Sequence, residues 1–356
     1  SIGEPDVPAS QFLVDATIAA LEAGRTGYSP GAGEEALRVA LSDRYSRRSG
    51  RVVSPHQILC FPGAQTALFA VMQAIAGTGD HVLIGDPMYS TYASVVAASG
   101  ARVVPVPLRA DNGFRLAADD VETRLTPAAK VLFLNTPHNP TGAVLTEDDI
   151  GDLGALARRH DLWILVDEVY EDFVFDGTSF HSPLNRPELS DRVIVVRSIS
   201  KSHAAPGFRS GWSVGPEALC TRLLSLSEAM LFGNQPFIAD ATAMAVSRPS
   251  DVAPGMRARF AKRVDHLAAC LHDHSRLRVH KPVAGMFALM DVSSTGLDGV
   301  SYARDLLLQA GVGVIPGSSF GESLRCWVRL SLTASDDDFD AACCRIVEHA
   351  NARAAE

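Results

Sequence analysis

The chain has 356 residues, is 47% hydrophobic and 21% charged, and carries a formal net charge of −9. That balance argues against a basic nucleic-acid surface, and the lack of any run of ~18 apolar residues argues against a helical membrane span. The length suits one large domain and a smaller one.

In chain order, SIGEPD opens the sequence with neither an initiator Met nor a signal peptide, so what precedes it stays open. FPGAQTALF (61–69) reads as a glycine-initiated turn into a helix that continues through TALFAVMQAIAG (66–77). HVLIGDP (81–87), ARVVPVPL (101–108), KVLFLNTP (130–137), LWILVDE (162–168) and RVIVVRS (192–198) are β-rich runs bounded by turn residues. Amphipathic stretches alternate with them: STYASVVAASG (90–100), then TEDDIGDLGALARRH (146–160), which Thr146 and the acids after it mark as a helix start. Apolar strands alternating with helices predict a parallel, doubly wound α/β sheet over about 29–255. From 256 the texture changes. MRARFAKRVDHLAACLHDH predicts a long helix, GMFALMDV, GVGVIPG and CWVRLSLT predict strands, and DDDFDAACCRIVEHANARAAE predicts a closing helix. Residues 256–356 therefore form a smaller α+β domain.

Six scattered cysteines (Cys60, Cys220, Cys270, Cys326, Cys343, Cys344) include no C-x-x-C pair. They read as reduced, mostly buried thiols of a cytoplasmic protein, rather than a disulfide frame or a zinc site.

Open α/β sheets bind ligands outside the carboxyl ends of their strands. Asn135 and Asn139 follow KVLFL, Asp167 ends WILV with Tyr170 one turn on, and Ser198, Ser200 and Lys201 follow VIVVR, with Arg209 eight residues later. Lys201 stands out because only four of the 32 basic residues are lysine, and an amine can lose its proton and attack a carbonyl where a guanidinium cannot. The free N–H groups that open the 61–69 helix suit a phosphate. An amine, carboxylate, phenol, amide, arginine and anion-binding helix start in one crevice fit a phosphorylated aromatic aldehyde, pyridoxal 5'-phosphate, whose ring nitrogen an Asp can keep protonated.

IGEPD, YSPGAGEEALR, DPMYSTY, NPTG, VDEVY, SISKSH and VRLSLT occur in an order and spacing that resemble the class I/II aminotransferases, the aspartate-aminotransferase-like fold-type I pyridoxal-phosphate enzymes. The resemblance implies a mostly parallel seven-stranded doubly wound sheet with a small C-terminal α+β domain. It implies an N-terminal segment (1–28) packing with the small domain and the partner of a homodimer. It implies Lys201 as the Schiff-base lysine and proton shuttle, Asp167 on the pyridine nitrogen, and Tyr170 and Asn139 on the ring hydroxyl. Tyr89 would stack on the ring, and Gly63, Ala64, Gln65, Ser198 and Arg209 would hold the phosphate. Tyr28 would reach the phosphate of the neighbouring subunit. Arg329 would grip the substrate α-carboxylate, with Gly3 giving its backbone close approach. The implied reaction moves an amino group from an L-amino acid to a 2-oxo acid, pyruvate or 2-oxoglutarate, by ping-pong turnover. DNGFR, ISKSHA, GPEALC and GMF are similar to bacterial arginine–pyruvate transaminases. The family's helix before IGEPD has no counterpart here, and His138 fills a variable position to which no role is given.

Each residue has a plainer reading. Lys201 alone reads as a surface lysine, Asp167 as a helix cap, Tyr89 and Tyr170 as core aromatics, Asn139 as a turn former, and Arg209 and Arg329 as solvated charges. Gly31 and Gly33 do not follow a strand, so a dinucleotide loop is disfavoured, and His272 and His274 lack further metal ligands. Ser198 and Ser200 form no G-x-S-x-G elbow. Two alternatives share the scaffold: a pyridoxal-phosphate β-elimination lyase, and a pyridoxal-phosphate-binding regulatory domain.

Overall fold

The computed structural model describes residues 3–354. Ile2, within IGEPD, lies outside the described residues. Seven strands form one sheet: β1 (Ile58–Phe61), β2 (His81–Asp86), β3 (Arg102–Pro107), β4 (Ala129–Asn135), β5 (Trp163–Asp167), β6 (Val193–Ser198) and β7 (Gly211–Val214). Their order is β1-β7-β6-β5-β4-β2-β3. β3, β2, β4, β5 and β6 pair in parallel, while β7 runs antiparallel to both β6 and β1. The five parallel strands are the apolar runs that the sequence predicts. β1 and β7 were not predicted; ILCF and GWSV are four residues each, too short to stand out without their neighbours. All six residues of β6 are buried, as expected of a strand covered on both faces. The helix predicted at 146–160 spans Glu147–Arg159. Its first turn is closed by a reciprocal pair: Asp149 N–H donates to Thr146 Oγ1 (3.1 Å) and Thr146 N–H to Asp149 Oδ2 (2.8 Å).

A second, antiparallel sheet follows, ordered β10-β11-β9-β8, from β8 (Arg278–His280), β9 (Phe287–Asp291), β10 (Ile315–Pro316) and β11 (Trp327–Ser331). Helices Ala253–His274, Gly299–Ala310 and Asp336–Ala354 accompany it. Its core gathers Phe260, Leu267, Met290, Tyr302, Val328 and Ile346, and also Tyr170 and Phe173, which follow β5 in the chain. The two sheets thus meet just beyond the end of β5. The N-terminal residues bridge them as well. Asp6 pairs with Arg259 (2.5 Å) and Arg263 (3.0 Å), while helix Gln11–Glu22 packs against helix Pro236–Val246.

Under the end of β5 lies a buried charged cluster. The Glu171 carboxylate meets Arg44 (3.1 Å), Arg48 and Arg197, and Arg197 also reaches Asp172 (3.3 Å). Such groups are tolerated inside because each charge has an opposite partner. Three of the six cysteines (Cys60, Cys220, Cys343) are buried, fewer than the sequence reading assumed, and all six are free thiols. Among the described residues no helix is long and apolar enough to cross a membrane.

Candidate active site

A cavity of about 520 Å³ opens where the carboxyl ends of β4, β5 and β6 face β11 of the small sheet. Eleven of the predicted residues line it: Gly3, Ala64, Gln65, Tyr89, Asn139, Asp167, Tyr170, Ser198, Lys201, Arg209 and Arg329. Strand ends place two of its walls. Asp167 closes β5, in register with Asn135 at the tip of β4, and β6 ends at Ser198.

Ser198 caps the short helix Ile199–Ser202, its Oγ accepting from Ser200 N–H (3.3 Å), and this turn delivers Lys201 into the cavity. Lys201 Nζ donates to the Gly3 carbonyl. Burial pushes the ammonium down to about 8; Glu4 and Asp167 oppose that shift, whereas Arg329 and Arg209 add to it. Asp167 lies at the floor. Its Oδ2 accepts from Tyr92 OH (2.8 Å) and its Oδ1 from Val169 N–H (3.1 Å). Burial pushes its carboxyl up to about 6, while those two bonds and Lys201 pull it the other way. Tyr170 stands edge-on to Phe287 at 5.3 Å, and burial raises its phenol above the usual range.

Asn135 folds the NTPHNPTG loop. Its Nδ2 donates to the carbonyls of Pro137 (3.1 Å) and Asp167 (3.0 Å), and its Oδ1 accepts from Asn139 N–H (2.8 Å). Asn139 Oδ1 then accepts from Arg329 Nη1 (2.9 Å). Arg329 itself is 5% exposed, and its Cζ lies over the rings of Phe287 and Phe320, 4.9 and 4.7 Å from their centroids. His138, which the sequence reading set aside, is buried and bonds Thr141 Oγ1 at 2.8 Å; burial lowers its imidazole to about 4. It is a neutral strut of the same loop.

At the other end, Gly63 has φ 88° and Arg209 φ 49°. A Cβ on Gly63 would stand 2.3 Å from Arg209 Nη2, so only glycine lets the guanidinium lie over this helix start. Arg209 is steered by the carbonyls of Pro206 (2.8 Å) and Pro62 (3.3 Å). Helix Ala64–Ile75 has no side-chain cap, and Ala64 and Gln65 at its first turn line the cavity beside that guanidinium. This end is built for an anion.

Two predicted residues lie elsewhere. Gly63 sits behind Arg209 rather than in the wall. Tyr28 is 89% exposed, outside the cavity, with its ring 5.7 Å from that of Phe232. A Cβ on Gly3 would meet Phe287 and Tyr170 only at ordinary contact distance, so the protein's own atoms do not require glycine there. Among the wall and floor residues that the sequence does not point to are Glu4, Ser90, Tyr92 and Phe320. Tyr92 had a readable signal, since it lies one helical turn from Tyr89; Phe320 had none, since it arrives from the small sheet's loop.

The sequence profile of the aminotransferases of class I and II matches residues 1–346. The chain is 42% identical to an arginine–pyruvate transaminase of Pseudomonas aeruginosa over 97% of this chain and 88% of the relative. It is 31% identical to an aromatic-amino-acid aminotransferase of Thermococcus litoralis, over 96% and 88%. Its fold matches the aromatic aminotransferase of Pyrococcus horikoshii with a TM-score of 0.95 at 29% identity, covering 99% of this chain and 95% of that one. The aspartate aminotransferase of Thermus thermophilus solved with maleate gives 0.92 at 32%, covering 98% and 90%. Fold, cavity and sequence agree: this chain belongs to the class I and II aminotransferases.

Proposed function

We propose that the chain transfers the amino group of an L-amino acid with a basic side chain to pyruvate, using pyridoxal 5'-phosphate held on Lys201. The observation that carries this is the convergence of Lys201 and Asp167 with an anion-binding end and a buried arginine in one cavity. The donor set fits the cofactor. The bare helix start under Arg209 suits a phosphate, Asp167 suits a ring nitrogen, and Lys201 Nζ suits an aldehyde carbon. When bound, the cofactor supplies an electron sink for the pair left at the substrate Cα.

The chain's own residues do the rest. Arg329 binds the α-carboxylate of amino acid and oxo acid alike, with Asn139 and the two phenyl rings packed around its guanidinium. Lys201 Nζ, lowered to about 8, is readily neutral and takes the proton from Cα. Tyr92 holds Asp167 by its Oδ2, and Asp167 would then be placed to pair with a protonated ring nitrogen. Tyr170 and Asn139 would donate to the ring hydroxyl, and Tyr89 would cover the ring face. Exposed Tyr28 and Phe232 suit a homodimer in which Tyr28 serves the partner's phosphate. Six free thiols suit a cytoplasmic protein.

The choice of a basic donor and pyruvate follows the named activity of the Pseudomonas relative. A spectrophotometric screen of amino acids against the cofactor-loaded protein tests it. Arginine or lysine should bleach the cofactor's visible absorption fastest, and pyruvate should restore it. Release of ammonia without any need for an oxo acid would instead favour elimination chemistry.

A further inference from the structure

The Arg329 guanidinium meets an amide and two aromatic rings. One Nη1 proton goes to Asn139 Oδ1, and its Cζ stands over the rings of both Phe287 and Phe320. Those rings belong to different cores. Phe287, on β9, packs with the small sheet, while Phe320 packs with the seven-stranded sheet. Alternation along β11 sends Val328 and Leu330 into the small core and Arg329 to the opposite face. Left there alone, a long flexible side chain would sample many rotamers, and immobilising it would cost entropy at each substrate encounter. Two rings packed within cation–π distance of the guanidinium restrict its rotamers before substrate arrives.

Phe320 is itself anchored. Its carbonyl accepts from Met88 N–H (2.7 Å), one residue before Tyr89. The next residue, Gly321, has φ 153°, and a Cβ on it would stand 1.8 Å from Asp86 Oδ1, so the 317–324 loop lies directly on the end of β2. The ring over Arg329 is thus fixed to the segment that carries Tyr89 into the same cavity.

We propose that Phe320 and Phe287 are positioning residues that clamp Arg329, and that Phe320 makes the grip on the substrate carboxylate depend on the docking of the small sheet against the large one. The inference rests on the reading of Arg329 as the carboxylate grip. It requires that losing the ring weaken carboxylate binding while the amine chemistry at Lys201 stays intact.

The test compares Phe320→Leu, Phe320→Tyr and Arg329→Ala in the cofactor-loaded protein. Phe320→Leu should raise KM for amino acid and oxo acid about tenfold, with kcat held within about threefold, because binding common to ground and transition states is lost. Phe320→Tyr, which keeps the ring, should return KM to within about twofold of the parent. Two readouts isolate the carboxylate. The rate of spectral change with the decarboxylated amine of the same side chain should not move. The calorimetric Kd of a non-reactive monocarboxylate on the cofactor-free protein should weaken in step with KM. Equal losses for acid and amine, an unchanged KM, or a Tyr variant no better than Leu would each overturn the clamp. Should Phe320→Leu fail to fold, Phe320→Met against Phe320→Tyr carries the same contrast. Arg329→Ala separates the two layers. If it leaves the acid-to-amine ratio untouched, the carboxylate reading itself falls; if it collapses that ratio and Phe320→Leu does not, only the clamp falls.

Discussion

The two sheets contribute to one cavity in different ways. The seven-stranded sheet supplies groups from the ends of its strands: Asp167, paired with the loop-folding Asn135, then Ser198 with Lys201 one turn further. These positions are set by parallel pairing between buried apolar strands, so they are rigid with the core itself. The small antiparallel sheet supplies Arg329 from the middle of β11, on a face turned away from its own core. That position is useful only because the other sheet and its loops close over it. On the roles proposed above, the large sheet would hold the chemistry and the small sheet the grip. Changes in the first should appear in kcat and in cofactor retention, and changes in the second in KM.

The sharpest way to break that division is at Lys201. Lys201→Ala should lower transamination by at least about 10³-fold, since a positioned proton-transfer group and its covalent attachment go together. The variant should still retain cofactor without a covalent link, and borohydride reduction followed by peptide mapping should find the cofactor's mass on Lys201 of the parent alone. Near-parental turnover, or label on another lysine, would remove Lys201 from its role. Next comes Arg329→Ala. Loss of a charge-assisted, desolvated carboxylate contact should cost about 3 kcal/mol, or about 100-fold in KM for both substrates. Steady-state kinetics with each substrate varied in turn checks this, and a fall in kcat alone would erase the contrast between the sheets.

Tyr92→Phe sharpens the comparison from the large-sheet side. It removes the hydroxyl that donates to Asp167 Oδ2 and leaves that buried oxygen short of a partner. The expected effect is about tenfold in kcat, from about 1–1.5 kcal/mol, with KM for the oxo acid unchanged. The smallest effect is in pH. Burial lowers Lys201 to about 8, so above that pH the cofactor-free protein presents a neutral amine. The rate of cofactor reloading should rise as pH passes through 8 and then level off, instead of climbing on toward the ordinary lysine value of 10.5. A midpoint near that ordinary value would mean that the site does not desolvate the amine.

Legibility followed the same division. Five parallel strands announced themselves as apolar runs, and the groups at their ends were readable as reactive because their residue types are unusual there: a rare lysine, and an acid closing a buried strand. β1 and β7 were hidden by their shortness, and they exist as strands because β7 pairs with β6 and β1 pairs with β7. Tyr92 was half legible, one helical turn from a tyrosine already singled out. Glu4 carried no local sign because it faces Lys201 far along the chain, and Phe320 none because its place over Arg329 is fixed by its bond to distant Met88.

Local sequence, then, determined the alternation of strands and helices, the identity of the amine and the acid, and the turn that lets a bare helix start face an anion. Those properties depend on side-chain type and on neighbours within a few residues, and such short-range preferences survive in a linear reading. Only the tertiary structure decided that Arg329 meets one ring from each core, that Asp167 is held by Tyr92, and that Gly3 meets Lys201. Packing of two separate cores brings these groups together. Contacts of that kind depend on how surfaces fit, which no stretch of either chain segment contains alone.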